Sequence, residues 1–409
     1  MTQWAEGKAE ESTRRRDWII LPLLAILTVV SLSLTSEKIS ELIYGEPKSA
    51  VDVCLNVSHP DKGVSGIPNC KTSEMDFGVP LVEYKFDTCG YRSGIGCVSN
   101  SPGAYRIAMI GTSIAFGQWV KQQDALAAKL PIDISERDGR KIYLYNEGIL
   151  EQYPQFVSTH VQTALSRKPN IILWLVTPYD ISVPPLDSKS ILFLLGGGGK
   201  NLGVVERWKT YLKIKVFSGS FSSLEQAVSE HFIRKFSHTG TGFMLQDLLN
   251  KNADRYVKSY LKLPDTESGY LRVSPSSKWK QDMKSFEDMA TVMIAQSRAA
   301  GVPLVVTLIP SRAQAAMLSS GTWPEGYDPY RLDNDVRSII TRHGGIYADI
   351  FPDLKKIPNM ENNYYFSNGH PDANGDAILA QAISKEITNG QIPDLEAFDQ
   401  APRIQHVGK

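Results

Sequence analysis

Five short apolar runs, rich in β-branched and aromatic residues, recur along the chain from residue 105 onward. They are YRIAMIG, KIYLYNEG, NIILWLVT, VPLVVTLIP and GIYADIF. Most of the intervals between them carry apolar residues at helical spacing, as in QDALAAKLPIDISERDG, QFVSTHVQTALSRKP and SFEDMATVMIAQSRAAG. Near-continuous apolar strands that alternate with amphipathic helices are typical of a parallel sheet covered on both faces. The pattern predicts a doubly wound α/β domain over about 103–392.

One connection in this domain is longer than a crossover requires. More than 120 residues separate Thr177, at the end of the third run, from Val302, at the start of the fourth. We interpret about 182–275 as a mostly helical insertion that forms a wall or lid over the substrate. It contains FLLGGGGK, but Leu194 and Asn201 stand where a phosphate-binding loop needs Gly and Ser or Thr. We therefore interpret these glycines as a flexible turn.

The N-terminal region contains a long uncharged run, WIILPLLAILTVVSLSLTS, at residues 18–36. As a helix it would reach roughly 28 Å, close to the thickness of a bilayer's hydrocarbon core. Arg14, Arg15 and Arg16 precede the run. The positive-inside rule therefore predicts a transmembrane anchor at 18–36, a cytoplasmic tail at 1–17 and an exported remainder, periplasmic in a Gram-negative cell. A cleaved signal peptide is the main alternative, but the run is long for one and no A-x-A site ends it. The other alternative is a buried helix of the core, but such a helix should show a polar face, and this run is uncharged throughout.

The four cysteines fit an exported chain. Cys54, Cys70, Cys89 and Cys97 all lie within a segment, 37–102, that is rich in Gly, Pro, Ser, Asp and Asn. In an oxidising compartment such a set predicts two disulfides, and pairing neighbours is the simplest of three connectivities. No C-x-x-C spacing supports a zinc site. We expect 37–102 to be a disulfide-pinned lead-in and 393–409 to be a tail.

Composition narrows the classes of function. Apolar residues make up 42% and charged residues 22% of the chain, which is ordinary for a protein with a real core. Lys and Arg total 44, as do Asp and Glu, so the chain has no basic surplus for nucleic acid. We expect no nucleic-acid partner, no cofactor and no metal ion.

Ser113 follows the first predicted strand within GTSIAFGQWV. Ligands of open parallel sheets bind beyond the carboxyl ends of the strands, and Gly111 permits a tight turn there. The start of the following helix would favour a developing oxyanion. A plain N-cap serine is the simpler interpretation of this stretch alone.

His370, in YYFSNGHPDANGDAILAQAI, favours the catalytic interpretation because it precedes the last helix at the same sheet edge. A neutral histidine can accept the proton that a serine must lose to become a nucleophile. A surface residue or a helix-start contact is the alternative for this histidine.

Taken together, Gly-x-Ser after the first strand, YLYNEG after the second and x-x-His-Pro-x-x-x-Gly before the last helix resemble the SGNH/GDSL hydrolase family. The resemblance covers about 103–392, and FDTCGYRSG resembles the lead-in of the membrane-anchored bacterial members. It implies a flavodoxin-like, three-layer α/β/α sandwich with Ser113 as nucleophile and His370 as general base. It also implies esterase or acyl-transfer chemistry, often on acylated sugars.

The supporting positions depart from the family pattern. The oxyanion-hole glycine falls on Gly148 or on Glu151, either of which offers a backbone N–H. Tyr179 stands where the family's oxyanion-hole asparagine is expected, and Asp180 beside it could orient a neighbour. No aspartate precedes the histidine, so Asn368 is the candidate for orienting the imidazole. Asp372 lies on the other side of the histidine.

These residues leave three functions open. The first is a membrane-anchored, extracytoplasmic serine esterase or deacetylase that acts on an acyl ester, for instance of an envelope or extracellular glycan. The second is an O-acyltransferase that uses the same serine and histidine. The third is a non-catalytic relative that binds polysaccharide or a protein.

Overall fold

The structure, a computed structural model, describes residues 3–44, 48–49, 51–56, 64–93, 103–150, 154–182, 239–366, 369–392 and 395. It begins with one long helix, α1 (Gln3–Tyr44). Within α1, Ile20–Ile43 is long and apolar enough to cross a membrane. The apolar side chains of Ile20–Leu34 are exposed, so the protein's own core does not cover this helix. The buried-core-helix alternative is therefore wrong.

Two small antiparallel sheets follow in the lead-in. The strands are β1 (Lys48–Ser49), β2 (Leu55–Asn56), β3 (Ser65–Gly66), β4 (Lys71–Asp76) and β5 (Val79–Lys85). Their orders are β1-β4-β5 and β2-β3. Cys54 and Cys70 form a disulfide, as pairing of neighbours predicts. Cys89 is also disulfide-bonded, whereas its predicted partner Cys97 lies outside the described residues.

The central sheet contains five parallel strands. They are β6 (Tyr105–Ile110), β7 (Ile142–Asn146), β8 (Ile171–Val176), β9 (Leu304–Leu308) and β10 (Ile346–Tyr347). Their spatial order is β10-β9-β8-β6-β7, and Ile107 pairs with Leu144 on one side and Ile171 on the other. Each strand coincides with one of the five apolar runs. In sequence order this is the 2-1-3-4-5 arrangement of flavodoxin-like folds.

Helices cover the sheet. They are α2 (Ser113–Phe116), α3 (Leu126–Asp138), α4 (Pro154–Ser166), α5 (Pro178–Ser182), α6 (Gly240–Leu249), α7 (Ala253–Tyr260), α8 (Asp265–Ser268), α9 (Ser277–Ala299), α10 (Arg312–Ser320), α11 (Arg331–Arg342), α12 (Phe351–Leu354) and α13 (Ala373–Ile387). Short 3₁₀ turns lie at Val51–Cys54, Gly269–Leu271 and Met360–Asn363.

The sheet is apolar throughout because both of its faces are covered. Every residue of β8 and of β9 is buried, including the large side chain of Trp174. The predicted three-layer α/β/α fold is confirmed by this sheet and its helices. Of the predicted insertion, residues 239–275 are largely helical and residues 183–238 lie outside the described part.

Candidate active site

The turn that carries Ser113, the predicted nucleophile, joins β6 to α2 and is called the nucleophile turn below. Gly111 has φ +150°, a conformation that favours glycine, and a Cβ there would approach the carbonyl oxygen of Leu175 to 2.9 Å. Thr112 and Ser113 follow, and Ser113 is the first residue of α2. The sharp turn leaves the Ser113 side chain half-buried beyond the carboxyl end of β6.

His370 is presented by a turn between the 3₁₀ turn Met360–Asn363 and α13. Tyr364 and Pro371 form an isolated antiparallel bridge, and the N–H of Tyr365 donates to the carbonyl of His370 at 2.7 Å. The hydroxyl of Tyr364 donates to the carbonyl of Pro310 beyond β9, at 3.0 Å. These bonds fix the histidine to the same edge of the sheet as the serine.

The structure brings the two predicted residues together. Ser113 Oγ lies 2.7 Å from His370 Nε2, within hydrogen-bond distance. Both side chains line a cavity of about 540 Å³, a volume typical of small-ligand sites. A second cavity, of about 530 Å³ between α3 and the edge strand β7, contains neither residue.

Asp180 links the turn after β8 to the nucleophile turn. Its buried carboxylate accepts hydrogen bonds from the Thr177 N–H at 2.7 Å and from the Thr112 hydroxyl at 2.9 Å. The Asp180 N–H points back to Thr177 Oγ1 at 3.3 Å, so Thr177 and Asp180 form a capping box at the start of α5. Burial raises the pKa of Asp180 to about 6, although the hydrogen bonds from Thr177 and Thr112 act to lower it.

From the sequence, Asp180 is only a candidate for orienting a neighbour, and this contact names the neighbour as Thr112. The hydrogen bonds between Thr177 and Asp180 could have been predicted from Thr-Pro-Tyr-Asp, which is a Thr-x-x-Asp capping pattern directly after a strand. The bond to Thr112 spans 68 residues, and no local pattern predicts it.

The oxyanion-hole candidates occupy different places. Tyr179 lines the cavity and is 62% exposed. The Gly148 N–H donates to Asn146 Oδ1 at 2.9 Å, and a Cβ on Gly148 would overlap the backbone of Ala115 and Phe116. In this structure Gly148 therefore lets the loop after β7 approach α2 closely. Its role as an oxyanion donor stays a prediction, and Glu151 lies outside the described residues.

The first turn of α2 offers other donors. The backbone N–H groups of Ser113 and Ile114 donate to no acceptor among the residues that the structure describes. The first N–H groups of a helix have no partner within the helix and point to its N-terminal side. Here that side borders the cavity that contains Ser113.

Asn368, the candidate for orienting the imidazole, lies outside the described residues. Asp372 lies within the described residues, and its side chain caps a helix. Its side chain accepts hydrogen bonds from the N–H groups of Asn374 and Gly375, both at 2.9 Å, and so caps α13.

Trp119 packs against the imidazole. The two rings meet edge to face, with centroids 4.6 Å apart. The backbone of Trp119 has φ +61°, which is unusual for a non-glycine residue. Its N–H is bonded to the Tyr84 hydroxyl at 2.8 Å and its carbonyl accepts from the Tyr365 hydroxyl at 3.0 Å. Sequence analysis did not single out this residue, because its role depends on contacts with two distant segments.

The lead-in also supports the nucleophile turn. Arg92 is buried and donates to the carbonyls of Phe116, Gly117 and Val120, which end and follow α2. Its guanidinium lies over the rings of Tyr84 and Phe116. Burial lowers the pKa of Arg92 to about 10. The FDTCGYRSG stretch thus contacts α2 through Arg92 and through Phe86, whose ring lies 5.7 Å from that of Phe116.

Among the described residues, no group of three or more His, Cys, Asp or Glu side chains is arranged to hold a metal ion. The cavity's polar wall consists mainly of hydroxyl-bearing side chains, namely Thr177, Tyr179, Ser182, Tyr260, Tyr270 and Ser311. Apolar surface comes from Ile114, Ile309 and Pro310. The arrangement can activate a serine hydroxyl beside a mixed polar and apolar pocket.

No protein-family profile and no curated protein matches the chain. Matching solved structures include a lipase/acylhydrolase from Enterococcus faecalis (11% identity, 69% of this chain and 95% of that chain, TM-score 0.36). A GDSL-like lipase from Parabacteroides merdae (11% identity, 70% and 97%, TM-score 0.35) also matches, as does a mutant of an acetylxylan esterase from Geobacillus stearothermophilus (12% identity, 70% and 96%, TM-score 0.35). At such TM-scores these similarities establish neither the family nor the activity of this chain.

Proposed function

We propose that the chain is a membrane-anchored, extracytoplasmic serine esterase of the SGNH/GDSL type that hydrolyses a short acyl ester. The observation that carries the proposal is the 2.7 Å distance between Ser113 Oγ and His370 Nε2 inside the cavity. A plain N-cap serine would donate or accept locally, whereas this hydroxyl meets an imidazole 257 residues away.

The proposed reaction has two steps. Ser113 Oγ attacks the ester carbonyl while its proton passes to His370 Nε2, and the resulting imidazolium returns that proton to the leaving alcohol. Water then attacks the acyl-serine, losing its proton to His370, and the acid leaves as Ser113 regains its proton. The oxyanion of each tetrahedral intermediate accepts from the Ser113 N–H, which the described residues leave without an acceptor.

The cavity wall supports a hydroxylated substrate such as an acylated envelope or extracellular glycan. Its several side-chain hydroxyl groups can exchange hydrogen bonds with a sugar, and its apolar surface at Ile114 and Ile309 can accept the acyl group.

The anchor is proposed from α1 and its flanking charges. The exposed apolar helix would lie in the bilayer with residues 1–17 in the cytoplasm and residues 37–409 outside. A reporter enzyme fused after Lys409 that works only in the cytoplasm would contradict this orientation.

The activity assay uses the full chain with a short-chain aryl ester and with acetylated oligosaccharides. We expect Ser113→Ala and His370→Ala each to lower kcat by on the order of 10³-fold or more, since the two groups act as a unit. Asn368→Asp should keep or raise kcat, because a carboxylate there would stabilise the imidazolium.

Product analysis separates the alternatives. Free acetate indicates an esterase, whereas acetate transferred to an added glycan indicates the O-acyltransferase. Wild-type protein that is as inert as Ser113→Ala towards every ester would indicate the non-catalytic relative. Full activity in Ser113→Ala would show that the nucleophile assignment is wrong.

A further inference from the structure

The end of α1 is fixed to the catalytic domain. The Glu37 carboxylate accepts hydrogen bonds from the N–H groups of Gly240 and Thr241, at 2.9 and 3.0 Å, and so caps the start of α6. Ser36 Oγ lies 2.6 Å from Thr241 Oγ1. Ser40 is fully buried against Gly240, where any side chain would collide with it. The helix that carries the apolar run is thus docked, without a flexible linker, onto α6.

This contact places α6 close to the bilayer surface. The uncharged run ends at Ser36, and a helix rises about 1.5 Å per residue, so Ser40 lies only about 6 Å beyond that end. If the run fills the hydrocarbon core, residues 36–40 and the first turn of α6 lie at the level of the lipid headgroups.

Two faces of α6 are apolar. Phe243 points inward, is buried, and packs against Phe77 of the lead-in and Phe366 of the turn that carries His370. Leu245 and Leu248, one turn apart, face outward and are 45% and 65% exposed. On α1, Ile39, Leu42 and Ile43 are exposed as well. Exposed apolar side chains clustered in this way are typical of an interaction surface.

The segment after α6 adds positive charge. Arg255 and Lys258 lie one turn apart on α7 and are exposed, as is Lys251 between the two helices. Asp247 and Asp254 offset part of this charge. Exposed basic side chains close in sequence to an apolar helix face are common in segments that lie on anionic membrane surfaces.

We propose that α6 is a second membrane contact, whose Leu245 and Leu248 side chains insert among the headgroups of the leaflet from which α1 emerges. The inference rests on the proposed anchoring but not on the esterase activity. Together with the Glu37 cap, the contact fixes the height and tilt of the catalytic domain above the bilayer. Through Phe243 and Phe366 it also supports the turn that carries His370 from the membrane side.

The test measures the depth of nitroxide labels in the full chain reconstituted into phosphatidylethanolamine and phosphatidylglycerol vesicles. Cys54, Cys70 and Cys89 are in disulfides and do not compete for the label. Single variants Leu248→Cys and, as a matched control, Val292→Cys on the exposed face of α9 are labelled, with Leu27→Cys in the apolar run as the reference for anchoring. Val292 is 50% exposed, similar to the residues of the proposed contact.

We expect the label at position 248 to be several-fold more accessible to oxygen, and less accessible to a water-soluble nickel complex, than the label at 292. Adding Glu37→Ala should return the label at 248 to water, whereas Glu41→Ala, which among the described residues removes an ion pair with Lys38 on α1, should not.

Three outcomes would overturn the proposal. Labels at 248 and 292 that are equally exposed to nickel, with the label at 27 protected, would refute the α6 contact and leave the anchor intact. A label at 248 shielded from both reagents would show that protein covers this face. A label at 27 that is exposed to water would refute the anchor and the contact together.

Discussion

At the scale of single residues, Asp180 holds Thr112, the neighbour of Ser113, which is the proposed nucleophile. One carboxylate oxygen holds the Thr112 hydroxyl, next to Ser113, and the other holds Thr177 at the start of α5. The turns after two neighbouring strands, β6 and β8, are thereby joined by one side chain. Small displacements of a nucleophile lower rates strongly, so this contact should matter for turnover.

Asp180→Asn tests that role. The amide keeps one acceptor oxygen but places an NH₂ group against either the Thr112 hydroxyl or the Thr177 N–H. We expect kcat to fall roughly 10-fold, the equivalent of losing about 1.4 kcal/mol from one hydrogen bond, with KM little changed. Steady-state kinetics on the aryl ester would show this.

Asp372→Asn is the matched control, because Asn also caps helices well and Asp372 binds only the start of α13 among the described residues. Equal losses in the two variants would mean that Asp180 has no particular role in positioning Ser113.

The proximity of Ser113 and His370 could be predicted from sequence because Ser113 directly follows a predicted strand and His370 precedes the last helix at the same sheet edge. The residues that support Ser113 and His370 cannot be predicted from sequence in this way. Trp119, Arg92 and the Thr112–Asp180 bond act through partners that lie far away in sequence, and their residue types are common in any surface or core. Local patterns contain no information about such partners.

At the scale of elements, a buried carboxylate joins the last helix to the helix after the nucleophile. Asp376, in the first turn of α13, accepts from the N–H of Leu126 at the start of α3, at 2.9 Å. Burial raises the pKa of Asp376 to about 8, well above its value in an unfolded chain. The protonated form is therefore favoured in the folded state.

The direction in which stability changes with pH follows from the difference between the folded-state and unfolded-state pKa values of Asp376. A raised folded-state pKa contributes stability that is fully present below about pH 4 and is lost as the pH rises through about 8. Asp376→Asn does not titrate and keeps an acceptor for Leu126. We expect the free energy of unfolding of wild type to fall, relative to this variant, between pH 5 and about pH 8. Denaturant unfolding of both proteins in detergent, followed by tryptophan fluorescence, measures it.

The free energy of unfolding of Asp376→Asn should still fall somewhat as the pH rises. Burial also raises the pKa of Glu147 to about 7 and that of Asp180 to about 6, with the same sign of effect. If the free energies of unfolding of wild type and Asp376→Asn changed in parallel between pH 5 and about pH 8, the raised pKa of Asp376 would be contradicted.

The strands of the central sheet are predictable because parallel strands buried on both faces are continuous apolar runs. The lead-in strands are not predictable in this way. β4 reads KTSEMD and has no apolar alternation, and it forms through pairing with β5 across a turn at Gly78, which has φ +69°. Its contacts, rather than its composition, make it a strand.

At the scale of the whole molecule, the lead-in and the α/β domain meet in a second hydrophobic cluster beside the main core. Val82, Tyr84 and Phe86 of the lead-in cluster with Phe116 of α2 and Ile149 of the loop after β7. The lead-in, which contains the Cys54–Cys70 disulfide, therefore braces the helix that begins at Ser113. The N-terminal helix α1 contacts the same assembly through α6 and Phe243.

The central claim is that Ser113 is a nucleophile activated by His370. Its most direct test is the reaction of the full chain with a fluorophosphonate, in which Ser113 Oγ bonds to phosphorus, fluoride leaves, and the proton passes to His370. Mass spectrometry of the peptide that contains Ser113 locates the adduct. We predict a single adduct on Ser113 in wild type, a normal rate in Asp372→Asn, and a rate at least about 10²-fold lower in His370→Ala. An unmodified Ser113, or equal rates in wild type and His370→Ala, would contradict the claim.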